Sequence, residues 1–256
     1  KMNQKFKKTQ VVKFLENKEE NFRIFPADDN QFRSNKFSYW NIQSIGGYRP
    51  IKLRNYQDLM DAKGFYNPRI LNMLNVKYIL TNKKIENKNF SKIEGFSGLY
   101  ENKNVLPRAW IVGNIKSVDS QRESLMEILL SSFNPKSQAV VVNYDGNKIQ
   151  QDASGEVRIK LINENKIELA CSTNSEALLV LSEIYYRPGW RASVNNIEVP
   201  IYQTNHVLRS VIVPVGVSKV VFEYDTKNWK RARFLSRFSF ISIFLVLGAL
   251  FWKDEK

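Results

Sequence analysis

From Phe238 to Trp252 the chain reads FSFISIFLVLGALFW, fifteen residues without a charge. Only Ser239 and Ser242 interrupt the apolar letters, so a helix built from this stretch is hydrophobic all round and must be surrounded by lipid or by protein. Extended back to Phe234 it covers nineteen residues with Arg237 as the one charge. That is about 22 to 28 Å of helix, enough for a bilayer core once Arg237 snorkels to the interface. A C-terminal transmembrane helix is therefore predicted, with Lys230, Arg231, Arg233 and Arg237 as membrane-surface contacts. A helix buried within the protein is the competing reading.

Charge bears on how such a helix would sit. Lys227, Lys230, Arg231, Arg233 and Arg237 precede it, whereas Lys253 and Lys256 follow it beside Asp254 and Glu255. Taken alone, the positive-inside rule puts the globular part in the cytoplasm. KMNQKFKKTQ at the start is basic but has no apolar core after it, so it does not read as a signal peptide. Over the whole chain 39 Lys plus Arg stand against 25 Asp plus Glu, a net charge of +14. That field favours anionic partners. The basic residues are scattered, with no RNA-binding signature or zinc-finger spacing, so a diffuse solvated surface is the leading reading of the charge; because of the C-terminal run, a lipid bilayer is the expected partner and nucleic acid is not.

Over the whole chain, 43% hydrophobic and 12% aromatic residues exclude a disordered chain. Residues 1–20 read as a basic helical lead-in. Residues 21–150 read as a mixed α/β domain: FRIF and VKYILTN as strands, helices over YQDLMDAK and from Asn67-Pro68, and a helix over QRESLMEILLSSF. Asn55 is the expected N-cap of the YQDLMDAK helix, with Asp58 at its capping-box position and Gly64 as its stop. After Asp145 helical spacing disappears, and short strands at regular intervals predict an antiparallel β-sandwich, jelly-roll or Ig-like, over residues 151–227. Residues 228–256 complete the chain as a basic collar and the membrane helix. The fold class is α+β.

Chemistry is sparse. Cys171 and His206 are the single cysteine and histidine, so neither a disulfide framework nor a multi-Cys or multi-His metal site can be built, and no metal or cofactor is expected. No Walker loop, HExxH, GxSxG or dinucleotide fingerprint occurs. Gly46-Gly47 reads as a tight turn ahead of phosphate cradle, Asp58 and Asp61 as solvated or capping carboxylates, Asp28-Asp29 as a polar loop, and His206 as structural. No residue is assigned as catalytic. The stretch YYRPGWRASVNNIEVP, residues 185–200, gathers aromatics and arginines at a Pro-Gly corner. Tyr186, Arg187, Trp190 and Arg191 are the ligand-binding candidates, since aromatic faces stack on sugar rings while Arg addresses hydroxyls or phosphates; Tyr48, Arg49 and Asp58 are secondary. For Trp190, a lid over the core at that corner is the leading reading and a glycan-stacking surface the alternative.

Four stretches, SIGGYRPIKLRNYQDLMD, ILNMLNVKYILTN, LPRAW and EIYYRPGWRASVNNIEVPIYQTNHVLRSVIVPVG, with FEYDTKNWK before the terminal helix, resemble the C-terminal region of the YfhO family of bacterial multi-pass membrane proteins. These are regarded as GT-C-type glycosyltransferases that use polyprenyl-phosphate sugars. The resemblance implies an extracytoplasmic accessory region at the bacterial plasma membrane, against the local charge bias. It further implies a glycan or polyprenyl-phosphate sugar as ligand, and a multi-span N-terminal membrane core, missing from this chain, as partner and as the place of the catalytic acids. Where the family often carries Asp-Gly at the hairpin tip, this chain has Asn195-Asn196, which also tolerates the left-handed conformation. A non-enzymatic, membrane-anchored binding or structural module is the alternative function.

Overall fold

The computed structural model describes residues 7–147 and 149–254, the side chains of residue 228 and of residues 246–254 excepted. Residues 1–6 of the expected lead-in, and the side chains of the last part of the apolar run, lie outside the described residues.

The molecule is mixed α+β and mostly β, with three sheets among the described residues. The smallest is four-stranded, in the order β1 (Arg23–Pro26), β2 (Val76–Leu80), β4 (Leu99–Asn102), β3 (Phe90–Lys92), with β1 and β2 parallel and the other pairs antiparallel. Alternation along its strands feeds two cores. Phe25, Ile79 and Tyr100 face the main core, while Ile24, Tyr78, Leu80 and Leu99 face a second one closed by Val12 and Leu15 of helix α1 (Gln10–Glu16) and by Phe37 and Trp40. The sheet is thus a middle layer, which explains why β1 and β2 bury apolar side chains on both sides.

A six-stranded sheet runs β5 (Ala109–Val112), β10 (Ala177–Ile184), β14 (Leu208–Val213), β13 (Tyr202–Thr204), β7 (Gln138–Val142), β6 (Asn114–Val118). A five-stranded antiparallel sheet runs β12 (Ile197–Val199), β11 (Trp190–Val194), β15 (Gly216–Tyr224), β9 (Lys166–Thr173), β8 (Gly155–Ile162). Leu179, Val180 and Val211 of the first and Leu169, Val220 and Phe222 of the second belong to one core, together with Ile70 and Met73. Strands therefore enter the six-stranded sheet from both sides of residue 150, and the boundary expected there does not separate one sheet from another. It is crossed because Ala109–Val112 pairs with β10 edge to edge, a partnership between distant segments that local periodicity does not report. One pair in this sheet, β6 with β7, is parallel, joined through helix α5 (Gln121–Leu129), as parallel neighbours require a crossover.

Local signals are met unevenly. Ser120 caps α5 by accepting from Glu123 N at 3.2 Å, and Asn67 caps α4 (Pro68–Met73) by accepting from Arg69 N at 3.0 Å. Helix α3 (Arg54–Asp61), which follows the single turn of α2 (Asp29–Phe32) in the chain, departs from expectation. Its N-cap is Leu53, and Asn55 lies inside it, turned toward another element. Lys63, at φ 55°, supplies the left-handed residue after it, whereas Gly64 is required for close approach, since a Cβ there would meet Leu59 Cδ1 at 2.4 Å. The hairpin between β11 and β12 turns at Asn195-Asn196, with φ of 51° and 68°, as a two-residue turn between right-twisted strands demands.

The last described element is helix α6 (Lys227–Asp254), 28 residues long. Phe234, Leu235, Phe238, Phe240, Ile241, Ile243, Phe244 and Leu245 are all exposed on it, and these positions fall on every side of the helix. The hydroxyls of Ser239 and Ser242 donate to Leu235 O at 2.9 Å and Phe238 O at 3.0 Å, so the helix satisfies its own polar groups. Among the described residues, no helix is long and apolar enough to cross a membrane.

Candidate functional site

Pairing between β10 and β14 is regular from Ala177 to Leu181, then slips before Ile184. A bulge of this kind re-aims side chains at a strand end, and here it sends Ser182 and Glu183 out of the ladder alternation toward the four-stranded sheet. Ser182 N donates to Arg108 O at 2.7 Å and its Oγ donates to Met73 O at 2.8 Å. Glu183 meets two guanidinium groups: Arg108 Nε donates to its Oε1 at 2.8 Å, and Arg23 Nη2 lies 3.3 Å from its Oε2.

Both arginines are built in. Arg23 Nη1 donates to Leu74 O and to Ser182 Oγ, each at 3.0 Å, and Arg108 also donates to Gln43 Oε1 at 2.7 Å. A third, Arg209 of β14, is 5% exposed, donates through Nη2 to Ile184 O at 2.7 Å, and places its Cζ 4.3 Å from the centroid of the Trp190 ring. Burial first, then Arg108, draws the Arg23 pKa down to about 10, and burial draws Arg209 to about 10; both remain charged at neutral pH. Burial pushes the Glu183 carboxyl up, but the charges of Arg23 and Arg108 outweigh it and hold the group below its ordinary value.

These residues floor a cleft of about 820 Å³ between the 35–53 segment and the corner at residue 190. Tyr48 and Arg49 are exposed on its rim, delivered there by a turn whose amides are all used: Gly46 N donates to Ser44 Oγ, Gly47 N to Phe32 O and Tyr48 N to Asn35 Oδ1. Gly47 has φ +121°, so the pair of glycines is a turn with no amide left for a phosphate. Tyr56 donates to Ile45 O at 2.6 Å, and burial pushes its phenol up in pKa, which keeps it a neutral prop for the same loop.

The candidates read from sequence divide. Trp190 lines the cleft half-buried, with Arg209 against its ring and Tyr224 packed at 5.6 Å and 66°. Its neighbours Tyr186, Arg187 and Arg191 are exposed outside the cleft lining, and Arg191 lies 3.5 Å from Asp225. Gly189 makes that corner with φ +83°, and a Cβ there would meet the Tyr224 ring at 2.6 Å. Asp58 is paired with Arg54 at 2.8 Å, and Asp61 accepts from Gln57 at 2.7 Å, so neither carboxylate reaches the cleft. Asp28 clamps a loop by accepting from Thr81 Oγ1 and Asn82 N. His206 lies 3.1 Å from both Gln121 O and Asn55 O, tying α5 and α3 to the β13–β14 turn. Lys230, Arg231, Arg233 and Arg237 are exposed on the first turns of α6, with Arg233 over the Trp229 ring at 4.5 Å.

Reading the sequence missed Arg23, Arg108, Glu183 and Arg209. A signal was there: each arginine interrupts or adjoins an apolar run, in FRIF, LPRAW and VLRSVIVP, and a charge at an inward strand position is seldom left unpaired. No group of three or more His, Cys, Asp or Glu that could hold a metal is present among the described residues. Compared with known proteins, the chain matches no family model, no curated protein and no solved structure.

Proposed function

We propose that this chain is the extracytoplasmic, non-catalytic region of a membrane glycosyltransferase of the YfhO type, holding a cell-envelope glycan in its cleft while α6 anchors it in the bilayer. The observation that carries the reading is the cleft itself: a large concave volume with a fixed cationic floor and exposed Tyr48 at its rim, the make-up of a binding site. Its floor pairs guanidinium with carboxylate and offers no nucleophile beside a base, which supports binding over turnover. The anchor is supported by the all-round apolar surface of α6, by the uncharged sequence through Trp252, and by Lys230, Arg231, Arg233 and Arg237 at its start, placed to meet lipid headgroups.

Flotation with liposomes tests the anchor. The full chain floats with the vesicles, and the double variant Ile243→Lys, Phe244→Lys, which puts two ammonium groups in the hydrocarbon layer, stays below. A full chain that does not float sinks the anchor, and an anchored chain that retains no envelope glycan in a pull-down sinks the acceptor role. The second reading, a membrane-anchored binding module with no transferase attached, is favoured by the paired charges of the floor, and apolar spans encoded ahead of Lys1 would decide against it.

A further inference from the structure

The cleft floor carries more positive charge than its own residues can balance. Arg23 and Arg108 share one carboxylate, Glu183; Arg209 lines the same floor under the influence of that charge but makes no ion pair with it, and Arg49 and Lys52 add to the lining against Glu164. Structural ion-pair networks usually approach neutrality, because an uncompensated buried charge is strongly destabilising. Arg209 is the member left over. Among the described residues, its Nε and Nη1 are buried without a hydrogen-bond partner, although the side chain is 5% exposed and lines the cleft. A buried guanidinium with unused donors is unfavourable for folding, so its place here calls for a counter-group from outside the chain.

We infer that the floor is an oxyanion site, in which Arg209, backed by Arg23 and Arg108, takes the phosphate group of a phosphorylated ligand. The inference rests on reading the cleft as the ligand site. Phosphate fits better than carboxylate. Three guanidinium groups against Glu183 leave two positive charges, which a phosphomonoester of about −1.5 to −2 neutralises and a carboxylate does not. Arg23 and Arg108 are already oriented by backbone and side-chain acceptors, so little reorganisation accompanies binding. Arg209 is different, since its guanidinium rests against the Trp190 ring. An anion reaching its free nitrogens disturbs that contact, which makes Trp190 a built-in reporter.

The test uses the full chain in detergent micelles at constant ionic strength, titrated with inorganic phosphate, glucose 1-phosphate, a short-chain phosphatidic acid and acetate, and followed by tryptophan emission and calorimetry. Phosphate and its esters are expected to bind saturably and acetate not. Arg209→Met weakens binding by about tenfold or more, the loss expected for charge-assisted hydrogen bonds; Lys92→Gln, on a distant strand, binds as the parent does. Trp190→Phe loses the change in emission, since Trp190 is the reporter. Tighter binding of glucose 1-phosphate assigns the phosphate to a glycan, and tighter binding of phosphatidic acid assigns it to a lipid. A response to phosphate no different from that to acetate overturns the inference, as does a folded Arg209→Met that binds like the parent. If Arg209→Met does not fold, Arg209→Lys replaces it under the same criteria, because it keeps the charge and removes the fork. Phosphate binding by a chain that neither floats with vesicles nor retains glycan would sink the accessory-region reading alone; flotation and glycan retention without a phosphate response would sink this inference alone.

Discussion

Leu179 and Arg209 stand on adjacent strands of the same sheet and are buried almost equally, at 0% and 5% exposure. Around Leu179 lie Val180, Val211 and Phe222, apolar groups that need only volume and shape. Arg209 lies in the field of Glu183 and Arg23, and Glu183 is paired in turn with Arg23 and Arg108, charges that need particular partners. Close packing tolerates exchange of one aliphatic side chain for another of similar size. The charged floor does not, since each member's environment is set by the others. Two buried regions of one molecule thus differ in what a mutation removes: contacts in one, charge balance in the other.

Glu183→Gln should break the comparison most sharply. It nearly preserves shape and removes the carboxylate paired with Arg23 and Arg108, so it is expected to destabilise the chain by about 3–5 kcal/mol in denaturant melts. Leu179→Ala, which deletes three heavy atoms, is expected to cost about 2–5 kcal/mol. If Glu183→Gln melts like the parent, the floor is not an electrostatic unit.

Gly189→Ala ranks next and tests the corner that brings Trp190 to the floor. At φ +83°, with a Cβ 2.6 Å from the Tyr224 ring, the alanine needs a left-handed backbone and a displaced aromatic. A loss of about 1–3 kcal/mol is expected, with a change in tryptophan emission as Trp190 shifts from Arg209. Stability equal to the parent's would mean that the corner is not fixed by its glycine.

Arg209→Met reverses the sign. It gives up the bond to Ile184 O and the contact with Trp190, and also removes two buried donors that lack partners among the described residues. Unsatisfied donors cost about 1–3 kcal/mol each, so the variant is expected to melt with a gain of about 1 kcal/mol. Residues selected for binding are commonly ones that stability alone would discard. A clear loss of stability would instead make Arg209 a structural member of the floor.

The same contrast explains what could be read from the letters. The alternation of Val157, Ile159 and Leu161 or of Ile167, Leu169 and Cys171 is a local period, and their strands formed as expected, as did the Asn195-Asn196 turn. Strand partnership is not local, which is why Ala109–Val112 joined β10 across an expected domain boundary. Trp190, Tyr48 and Arg49 stood out by residue type and do line the cleft. Arg23, Arg108, Glu183 and Arg209 come from separated segments and meet only through the bulge in β10 and the docking of the four-stranded sheet. A sequence shows that each interrupts an apolar run; it does not show that the interruptions share one place.

The smallest effect comes from a histidine that lies between the two regimes. His206 is 1% exposed, and burial is the largest influence on it, lowering its pKa below the ordinary 6.5. A group whose folded value is depressed contributes stability above the unfolded value and loses it as pH falls through the folded one. Stability should therefore decline on acidification from about pH 6.5 and level off once the folded form also takes up a proton. Gln121 O and Asn55 O, each 3.1 Å from a ring nitrogen, together with the charge of Asp58, pull the other way and keep the decline shallow. A neutral ring has one N–H for two carbonyl oxygens, and only the imidazolium can donate to both. The carboxylate of the floor does not confuse the measurement, because Glu183 is held below its ordinary 4.5 and its own contribution is lost only under that value. Melts between pH 5 and 7 should show a slope that His206→Gln removes. A slope that survives the substitution would assign it to other groups and mean that His206 takes up its proton equally in the folded and the unfolded chain.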